Sequence, residues 1–337
     1  MSIRRIFTIT PDGAMNRVDT VSAALSAARD DAYLWLDYHQ PTRQDIEELP
    51  ESFGLHPLSI EDCIDEDEIP KIEDYERNSF IVFNALSYAN TELRVDEVNL
   101  FIGSDFLISV SGHNGPEREP LGDIERIARQ HIDSVRKGPA FLLHVIMDYL
   151  VDRKFDAVEA LGDELDAVEE IMMADVAKSK PEVLMDMRSN LLTVRKTLFH
   201  EREILLKICR RDCPYIPEPS IYHFRDIYDH LARFFELSES YRDIVTSLRE
   251  MYLTLLNNQM TKASNDTNLS VRRLTIITTI FMPLTLLAGI GGMSEWSMMT
   301  GPDNWRIAYP AFIVAMVLIG IANFALIRWI EKNPPKQ

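Results

Sequence analysis

Residues 274–294 read LTIITTIFMPLTLLAGIGGMS and contain no charged side chain. At 1.5 Å of rise per residue, a helix of these 21 residues is long enough to cross a hydrocarbon core of about 30 Å. A second uncharged run of the same length, Ile307–Ile327, follows after a short loop. A single run of this kind also fits a buried helix of a soluble protein, but two in succession predict a transmembrane hairpin.

The residues that flank the two runs predict their orientation. Basic residues precede the first run and follow the second: Arg272, Arg273, Arg328, Lys332 and Lys336. The loop between the runs holds Glu295, Asp303 and Arg306. Aromatic residues, which settle at membrane interfaces, lie near the run ends: Trp296, Trp305, Tyr309 and Trp329. Because basic residues favour the cytoplasmic side, we expect a multi-pass protein of the inner (plasma) membrane with both termini in the cytoplasm.

The composition of the chain excludes several classes of protein. With 53 acidic and 35 basic residues, the net charge is −18, which disfavours a nucleic-acid partner. Three cysteines form no disulfide framework and indicate a reducing compartment. Cys209 and Cys213, four residues apart and near His223, suggest a zinc site only weakly, because no second Cys/His pair has ligand spacing. The N-terminus lacks the apolar core of a signal peptide.

A long helix is predicted in front of the first membrane run. After Pro217 and Pro219, the chain has no proline or glycine from Ser220 to Met282. A helix of this length measures roughly 95 Å, far more than a bilayer requires, so most of it is expected to form a cytoplasmic stalk. Its apolar residues recur at helical spacing: Ile227, Leu231, Phe234, Leu237, Tyr241, Ile244, Val245 and Leu248.

The residues upstream of the stalk divide into two parts. Helical periodicity over Phe141–Met173 and Glu182–Cys209 predicts an antiparallel pair that packs on the stalk. Before them, short runs rich in β-formers predict strands at Ile3–Ile9, Ala32–Leu36, Ser79–Ser87, Glu97–Ile102 and Phe106–Val110, with a helix at Ile60–Ile64. The predicted fold is thus an α/β cytoplasmic domain (1–138), a helical pair (139–216), a stalk that continues into the first membrane helix (217–293, with the membrane helix at about 272–293), an outer loop (294–306), a second membrane helix (307–328) and a cytoplasmic tail (329–337).

Three motifs in this order resemble the CorA superfamily of divalent-cation transporters and channels. The first membrane run carries Phe281–Thr285 (FMPLT) and Ala288–Ile290 (AGI). The α/β region carries Gly54–Cys63 (GLHPLSIEDC) and Pro70–Tyr75 (PKIEDY). The stalk carries Phe224–His230 (FRDIYDH) and Tyr241–Val245 (YRDIV). The matching motifs span nearly the whole chain.

This resemblance implies a funnel-shaped homopentamer in the lipid bilayer. Five long helices would line a central pore, and the second membrane helices would form an outer ring. The partners implied are further copies of the chain, the lipid bilayer and divalent cations as substrates, with no tightly bound cofactor. This assembly accounts for a stalk that composition alone leaves unexplained.

The outer mouth of the pore departs from the family pattern. The family signature Gly-Met-Asn appears here as Gly292-Met293-Ser294. In Mg²⁺ members the Asn carbonyls are taken to bind the outer hydration shell of an ion that sheds water reluctantly. Ser294 is shorter and has no amide, and Gly291-Gly292-Met293 is reminiscent of the ZntB-like branch. The resemblance therefore favours Zn²⁺ slightly over Mg²⁺, with Co²⁺ and Ni²⁺ as further candidate ions.

One face of the first membrane helix is the candidate pore lining. Spacings of three and four place these residues on one side: Asn268, Val271, Leu274 (or Thr275), Thr278, Met282, Thr285 and Gly289. Amide and hydroxyl oxygens suit a hydrated ion, and Leu274 and Met282 suit apolar constrictions. Alternatively, the threonine hydroxyls bond only to helix carbonyls. Pro283 removes one backbone bond and frees a carbonyl.

Charged residues outside the membrane runs have two interpretations each. In a pentamer, Glu295 and Asp303 would each form a negative ring that concentrates cations, or they are solvated loop charges. Asp226 and Asp229 lie in a motif that, in some family members, binds a regulatory divalent ion between subunits. The partner aspartate of that site corresponds here to Ala89-Asn90, which predicts a weakened or missing site. The acidic run at residues 61–68 is best interpreted as a solvated surface.

Two classes of function remain at this stage. The first is a divalent-cation pathway through a pentameric pore. The second is a non-conducting membrane-anchored scaffold or metal sensor. An enzyme is not expected, because the sequence lacks a Gly-rich phosphate loop, a nucleophile elbow and an HExxH motif.

Overall fold

The computed structural model describes residues 3–27, 32–65, 68–112, 119–292, 301 and 304–332. The chain divides into two compact units, Met1–Tyr252 and Leu253–Gln337, and the boundary lies within one long helix. Each unit is described separately below. The six segments named from the sequence remain a prediction.

The first unit contains a seven-stranded sheet among the described residues, in the order β2-β1-β3-β7-β6-β5-β4. The strands are β1 (Ile3–Ile9), β2 (Met15–Val18), β3 (Tyr33–His39), β4 (Lys71–Asp74), β5 (Ser79–Ala89), β6 (Glu92–Ile102) and β7 (Phe106–Ser111). Strands β3 and β7 are parallel, with Leu34 opposite Phe106, and every other neighbouring pair is antiparallel. The order is that of an α/β domain.

Helices cover both faces of this sheet. The described residues form the α-helices α1 (Val21–Ala27), α2 (Arg43–Glu47), α3 (Leu49–Phe53), α4 (Pro57–Ile64), α5 (Ile124–Gln130), α6 (Ile132–Val135), α7 (Pro139–Ala174), α8 (Pro181–Cys209), α9 (Ile221–Gly291) and α10 (Trp305–Lys332), of which α10 and the second part of α9 belong to the second unit. One face packs against α1–α4 around Leu36, Phe80 and Phe101, which are almost fully buried. Helix α7 packs against β5. Because both faces are covered, the central strands read as nearly continuous apolar runs.

Helices α7, α8 and the first part of α9 form a three-helix arrangement in the first unit. A short turn joins α7 to α8, which therefore returns antiparallel to it. Phe141 of α7 contacts His223 of α9, and Phe155 contacts Phe234, so α7 and α9 run in the same direction. The predicted helical pair on the stalk is present in this form.

The second unit consists of the remainder of α9 together with the whole of α10. Both helices are long and apolar enough to span a membrane. Two contacts establish that they are antiparallel: Gly291 faces the ring of Phe312, and Gly320 faces Leu284. Helix α9 continues through Pro283. Pro283 has no N–H, so the carbonyl of Thr279 lacks its usual helical donor.

The structure extends the strands and helices predicted from sequence and adds others. Strands β2 and β4 were not predicted, because each has only four residues and little apolar content. Strand β6 begins at Glu92 rather than Glu97, since hairpin pairing with β5 holds its polar first half in the sheet. The α/β domain, the long helix and the two C-terminal apolar helices are confirmed.

Candidate cation pathway

The part of α9 in the second unit has two distinct faces. The residues of one face are half-buried within the single chain: Ile276, Ile280, Pro283, Leu284, Leu287 and Gly291. The corresponding half-buried face of α10 consists of Ala308, Phe312, Met316, Gly320, Asn323 and Ile327. Both sets follow helical spacing, and the contacts of Leu284 and Gly291 assign them to the helix–helix interface.

The predicted pore residues lie on the opposite face of α9. Asn268, Val271, Leu274, Thr278, Met282, Thr285 and Gly289 are all exposed in the single chain. Most of them are displaced by two positions from a residue of the α10-facing set, for example Thr278 from Ile280. Two positions correspond to about 200° around a helix. The packing of the hairpin therefore leaves this face free.

The threonine hydroxyls of this face bond within the helix. Thr278 Oγ1 donates to the carbonyl of Leu274 at 2.9 Å, and Thr285 Oγ1 donates to that of Phe281 at 2.8 Å. This is the arrangement that the alternative interpretation expected. A hydroxyl that donates its one proton keeps its acceptor lone pairs, so each oxygen can still accept a hydrogen bond from a water molecule. Backbone bonding and a role in hydrating an ion are therefore compatible.

The free face of α9 is concave near its C-terminal end. An open concavity of about 990 Å³ is lined by Met282, Pro283, Thr285, Leu286, Gly289 and Ile290. Three of these, Met282, Thr285 and Gly289, are predicted pore residues. A ligand there would meet one threonine oxygen among apolar groups.

The outer-mouth residues are described only in part. Gly292 donates its backbone N–H to the carbonyl of Ala288 at 3.0 Å, so the helical turn still closes there. Met293, Ser294, Glu295 and Asp303 lie outside the described residues.

The predicted regulatory aspartates lie on α9 in the first unit. Asp226 and Asp229 are both exposed, and Asp226 Oδ1 lies 4.0 Å from Nε2 of His230. Among the described residues, no three His, Cys, Asp or Glu side chains are grouped so that they could hold a metal ion. Within one chain, the two aspartates do not fit a complete metal site. The same holds for Cys209, Cys213 and His223.

Helix α7 contributes ionisable residues beside Asp226 that the sequence reasoning missed. The rings of His144 and His223 lie 4.9 Å apart, and burial together with His223 lowers the pKa of His144 to about 4. Burial and the charge of Asp226 raise the pKa of Asp148. The spacing of His144, Asp148 and Asp152 at four residues is a signal that places them on one face of α7.

The loop expected to supply the partner of Asp226 is a tight turn. Strand β5 ends at Ala89, which pairs with Glu92, so Asn90 and Thr91 form a two-residue hairpin loop. Both have positive φ, 54° and 66°. Asparagine is one of the residues that tolerates this conformation, which gives Asn90 a structural reason to stand there.

A buried ion pair joins three elements of the first unit. Nζ of Lys154 on α7 lies 3.2 Å from Oε1 of Glu201 on α8, and neither side chain is exposed. The same ammonium donates to the carbonyl of Asn84 on β5, whose N–H donates to Glu201 Oε1 at 2.9 Å. Burial raises the pKa of Glu201 to about 7 and lowers that of Lys154. No sequence motif marked this pair.

A family model and curated relatives both match most of this chain. The family model described as "CorA-like Mg2+ transporter protein" matches residues 30–329. The cobalt/magnesium transport protein CorA of Thermotoga maritima is 34% identical over 85% of this chain and 80% of its own length.

Two solved structures have a similar fold. The CorA magnesium transporter from Methanocaldococcus jannaschii superposes with a TM-score of 0.67 at 22% identity, covering 96% of this chain and 97% of that one. The cytoplasmic domain of ZntB from Vibrio parahaemolyticus superposes with a TM-score of 0.58 at 13% identity, covering 75% of this chain and 98% of that domain.

Proposed function

The chain belongs to the family of CorA-like Mg²⁺ transporter proteins, and from this premise we propose that it conducts divalent metal cations across a membrane through the centre of a homopentamer. The proposed pore lining is the free face of α9: Asn268, Val271, Leu274, Thr278, Met282, Thr285 and Gly289. The observation that carries the proposal is the opposition of the two faces of α9. The apolar face is occupied by α10, whereas no described residue of the chain covers the face with threonine and asparagine oxygens.

The free face needs neighbours if it lies in a bilayer. Polar side chains at membrane depth are tolerated where they line a cavity or contact other protein, because hydrocarbon offers them no hydrogen bonds. A ring of chains turns five such faces towards one another and hides them from lipid. Both termini then face the cytoplasm of the cell, with the hairpin in the inner membrane, as the flanking basic residues predict.

The chemistry of the proposed lining suits a hydrated cation. Water in the hydration shell of a metal ion donates hydrogen bonds outward. The hydroxyls of Thr278 and Thr285 already donate their hydrogen bonds to helix carbonyls, so towards these waters they act as acceptors. In a pentamer, the five copies of Leu274 would form one apolar ring around the pore, and the five copies of Met282 a second. Water can withdraw from such a constriction, and the pathway is then closed to ions without the movement of a lid.

Selectivity is proposed to depend on the outer mouth. Ser294 replaces the asparagine of the family signature, Glu295 follows it directly in the sequence, and Asp303 is a second acidic residue of the same loop. On this basis Zn²⁺ is expected to pass slightly faster than Mg²⁺. The name of the Thermotoga relative points instead to cobalt and magnesium, so the ratio of fluxes decides between these ions.

The regulatory role of Asp226 and Asp229 stays a proposal that needs a second protomer. Both side chains are exposed and available to a neighbour. Since the residues that the structure describes do not complete a metal site within one chain, any divalent ion held there would tie subunits together rather than stabilise one chain.

The function is tested by flux into liposomes. The purified full-length protein is reconstituted with a metal-sensitive dye inside, and Mg²⁺, Zn²⁺, Co²⁺ and Ni²⁺ are added outside in turn. The expected result is saturable entry of divalent ions by a pentamer, whose mass is measured in mild detergent. A correctly inserted pentamer with no flux above that of empty liposomes would favour the scaffold or sensor instead. A stable monomer or dimer would contradict the pore itself.

A further inference from the structure

Helices α9 and α10 are in tight contact in the second unit at Gly291 and Phe312. A Cβ atom built on Gly291 would lie 2.7 Å from Cζ of Phe312 and 3.2 Å from both Cε atoms. Ordinary contacts to a Cβ are longer than 3.4 Å, so only glycine leaves room for the ring at this point. The tip of the phenyl ring therefore rests directly on the backbone of α9.

The contact lies at the last turn of the proposed pore helix. Gly291 is the final residue of α9, and the residues that follow are Gly292, Met293 and Ser294, the proposed outer mouth. Gly291 lies two positions from Gly289 of the pore face, which places the ring behind the pore helix rather than in the pathway. The ring can therefore influence the mouth only through the backbone.

At Gly320 the same helix pair leaves more room. A Cβ on Gly320 would be 3.7 Å from Leu284 Cδ1, which is an ordinary van der Waals contact. On the lipid-facing side of α10, Phe324 is 50% exposed, whereas Phe312 is half-buried at the interface. Of the two glycine contacts between these helices, the tight one therefore lies at the end of the hairpin where selectivity is proposed to arise.

We propose that Phe312 is a positioning residue for ion selectivity, which fixes the last turn of α9, with Gly289 of the proposed pore lining, by contact with Gly291. The proposal rests on the proposed function and extends it to a residue that does not touch the ion. Its physical basis is size complementarity: a phenyl ring and a residue without a side chain fill one space. Adding a methyl group at Gly291 displaces the turn, and shortening the residue at 312 makes room for that methyl group.

The test is a size-compensation cycle measured as a flux ratio. Wild type, Gly291→Ala, Phe312→Leu and the double variant are reconstituted at equal pentamer content, and initial Mg²⁺ and Zn²⁺ entry rates are compared. Gly291→Ala is expected to change the Mg²⁺/Zn²⁺ ratio about tenfold, equal to about 1.4 kcal/mol, while the double variant returns to within about threefold of wild type. Gly320→Ala and Phe324→Leu are the matched controls, and both should keep the wild-type ratio.

The outcomes separate the inference from the function on which it rests. Flux in the wild type with an unchanged ratio in Gly291→Ala would overturn the positioning role and leave the pathway intact. A changed ratio that the double variant fails to restore would also overturn it, because the effect would then not depend on the fit of the two residues. No flux in the wild type would overturn the function and the inference together.

Discussion

Lys154 and Glu201 form an ion pair with an N–O distance of 3.2 Å although neither side chain is exposed to solvent. The pair links α7 to α8, and its hydrogen bonds to the backbone of Asn84 connect both helices to the middle of β5. The ammonium also lies 4.1 Å from the centre of the Phe83 ring. A pair in this position stabilises the domain only while both partners are present, because each alone would be a buried, uncompensated charge.

Removal of one partner is therefore expected to be far more destabilising than removal of both. Lys154→Met should lower the free energy of unfolding by about 3–5 kcal/mol, whereas Lys154→Met combined with Glu201→Met should recover most of that loss. Thermal unfolding of the full-length protein in detergent measures both. The exposed pair of Arg43 and Glu47 is the control, and Arg43→Ala should leave the free energy of unfolding nearly unchanged, because solvent screens the pair. A double variant as unstable as the single one would contradict this explanation.

The contact of Tyr241 with Gly162 makes a second prediction about helix packing. A Cβ on Gly162 would clash with the hydroxyl and with Cζ of Tyr241, the latter at 2.7 Å, so α7 and α9 approach closely at this point. Gly162→Ala should destabilise the protein by about 1–3 kcal/mol through overpacking, although alanine is the better helix former. Tyr241→Leu, which removes both the hydroxyl and Cζ, should relieve much of this effect in the double variant. The unfolding midpoints of the four proteins give the coupling, and strictly additive effects would argue against the contact.

Protonation of His144 predicts a dependence of stability on pH. Its pKa falls from 6.5 to about 4 on folding, because burial and His223 disfavour the charged ring. As the pH falls from 6.5 to about 4, the unfolded chain takes up a proton that the folded chain refuses. This histidine therefore supports the fold fully above pH 6.5 and progressively less down to about pH 4.

The measurement for His144 is the unfolding free energy of wild type and His144→Gln across this pH range. The difference between the two proteins should change between pH 6.5 and 4 and be constant above pH 7. All other ionisable residues are the same in both proteins, so the difference between the two curves reports the presence of the His144 ring. A difference that stays constant throughout would show that His144 is protonated equally in the folded and unfolded states.

Thr285 is predicted to contribute an acceptor oxygen to the pathway. Thr285→Val keeps the shape of the side chain but removes the hydroxyl, and five copies are lost in each pore. Divalent-cation flux should fall by roughly tenfold, corresponding to about 1.4 kcal/mol in the barrier. Thr279→Val is the matched control, because its hydroxyl makes the same bond, to Thr275 at 2.8 Å, but lies off the pore face. Equal loss of flux in both variants would point to a general effect on the helix.

Ser294→Asn is predicted to shift selectivity towards Mg²⁺. The substitution restores the family signature, and an asparagine carbonyl reaches further into the mouth than a serine hydroxyl. Five such acceptors can bond the waters that Mg²⁺ retains, whereas Zn²⁺ is less dependent on them. The Mg²⁺/Zn²⁺ flux ratio of variant and wild type in matched liposomes is the measurement. An unchanged ratio in two conducting pentamers would place selectivity deeper, at Thr285 or Asn268.

Much of the architecture follows from local sequence. The uncharged runs beginning at Leu274 and Ile307 predict the hairpin. Each has 21 residues, and two such runs in succession are typical of membrane-spanning helices rather than of a soluble core. The absence of proline and glycine between Ser220 and Met282 specifies one continuous helix. The face with Thr278 and Thr285 was also identified by spacing alone, since helical geometry fixes which residues share a side.

Tertiary structure determined what depends on contacts between distant residues. Sequence spacing could not say which face of α9 meets α10, and the contact of Gly291 with Phe312 settled it. Strands β2 and β4 exist because neighbours supply their hydrogen bonds, not because their residues favour strands. Lys154 and Glu201 lie 47 positions apart, and neither carries any signal of the other. Their pairing arises only when two helices and a strand enclose one space, from which an unpaired charge is excluded by the cost of removing it from water.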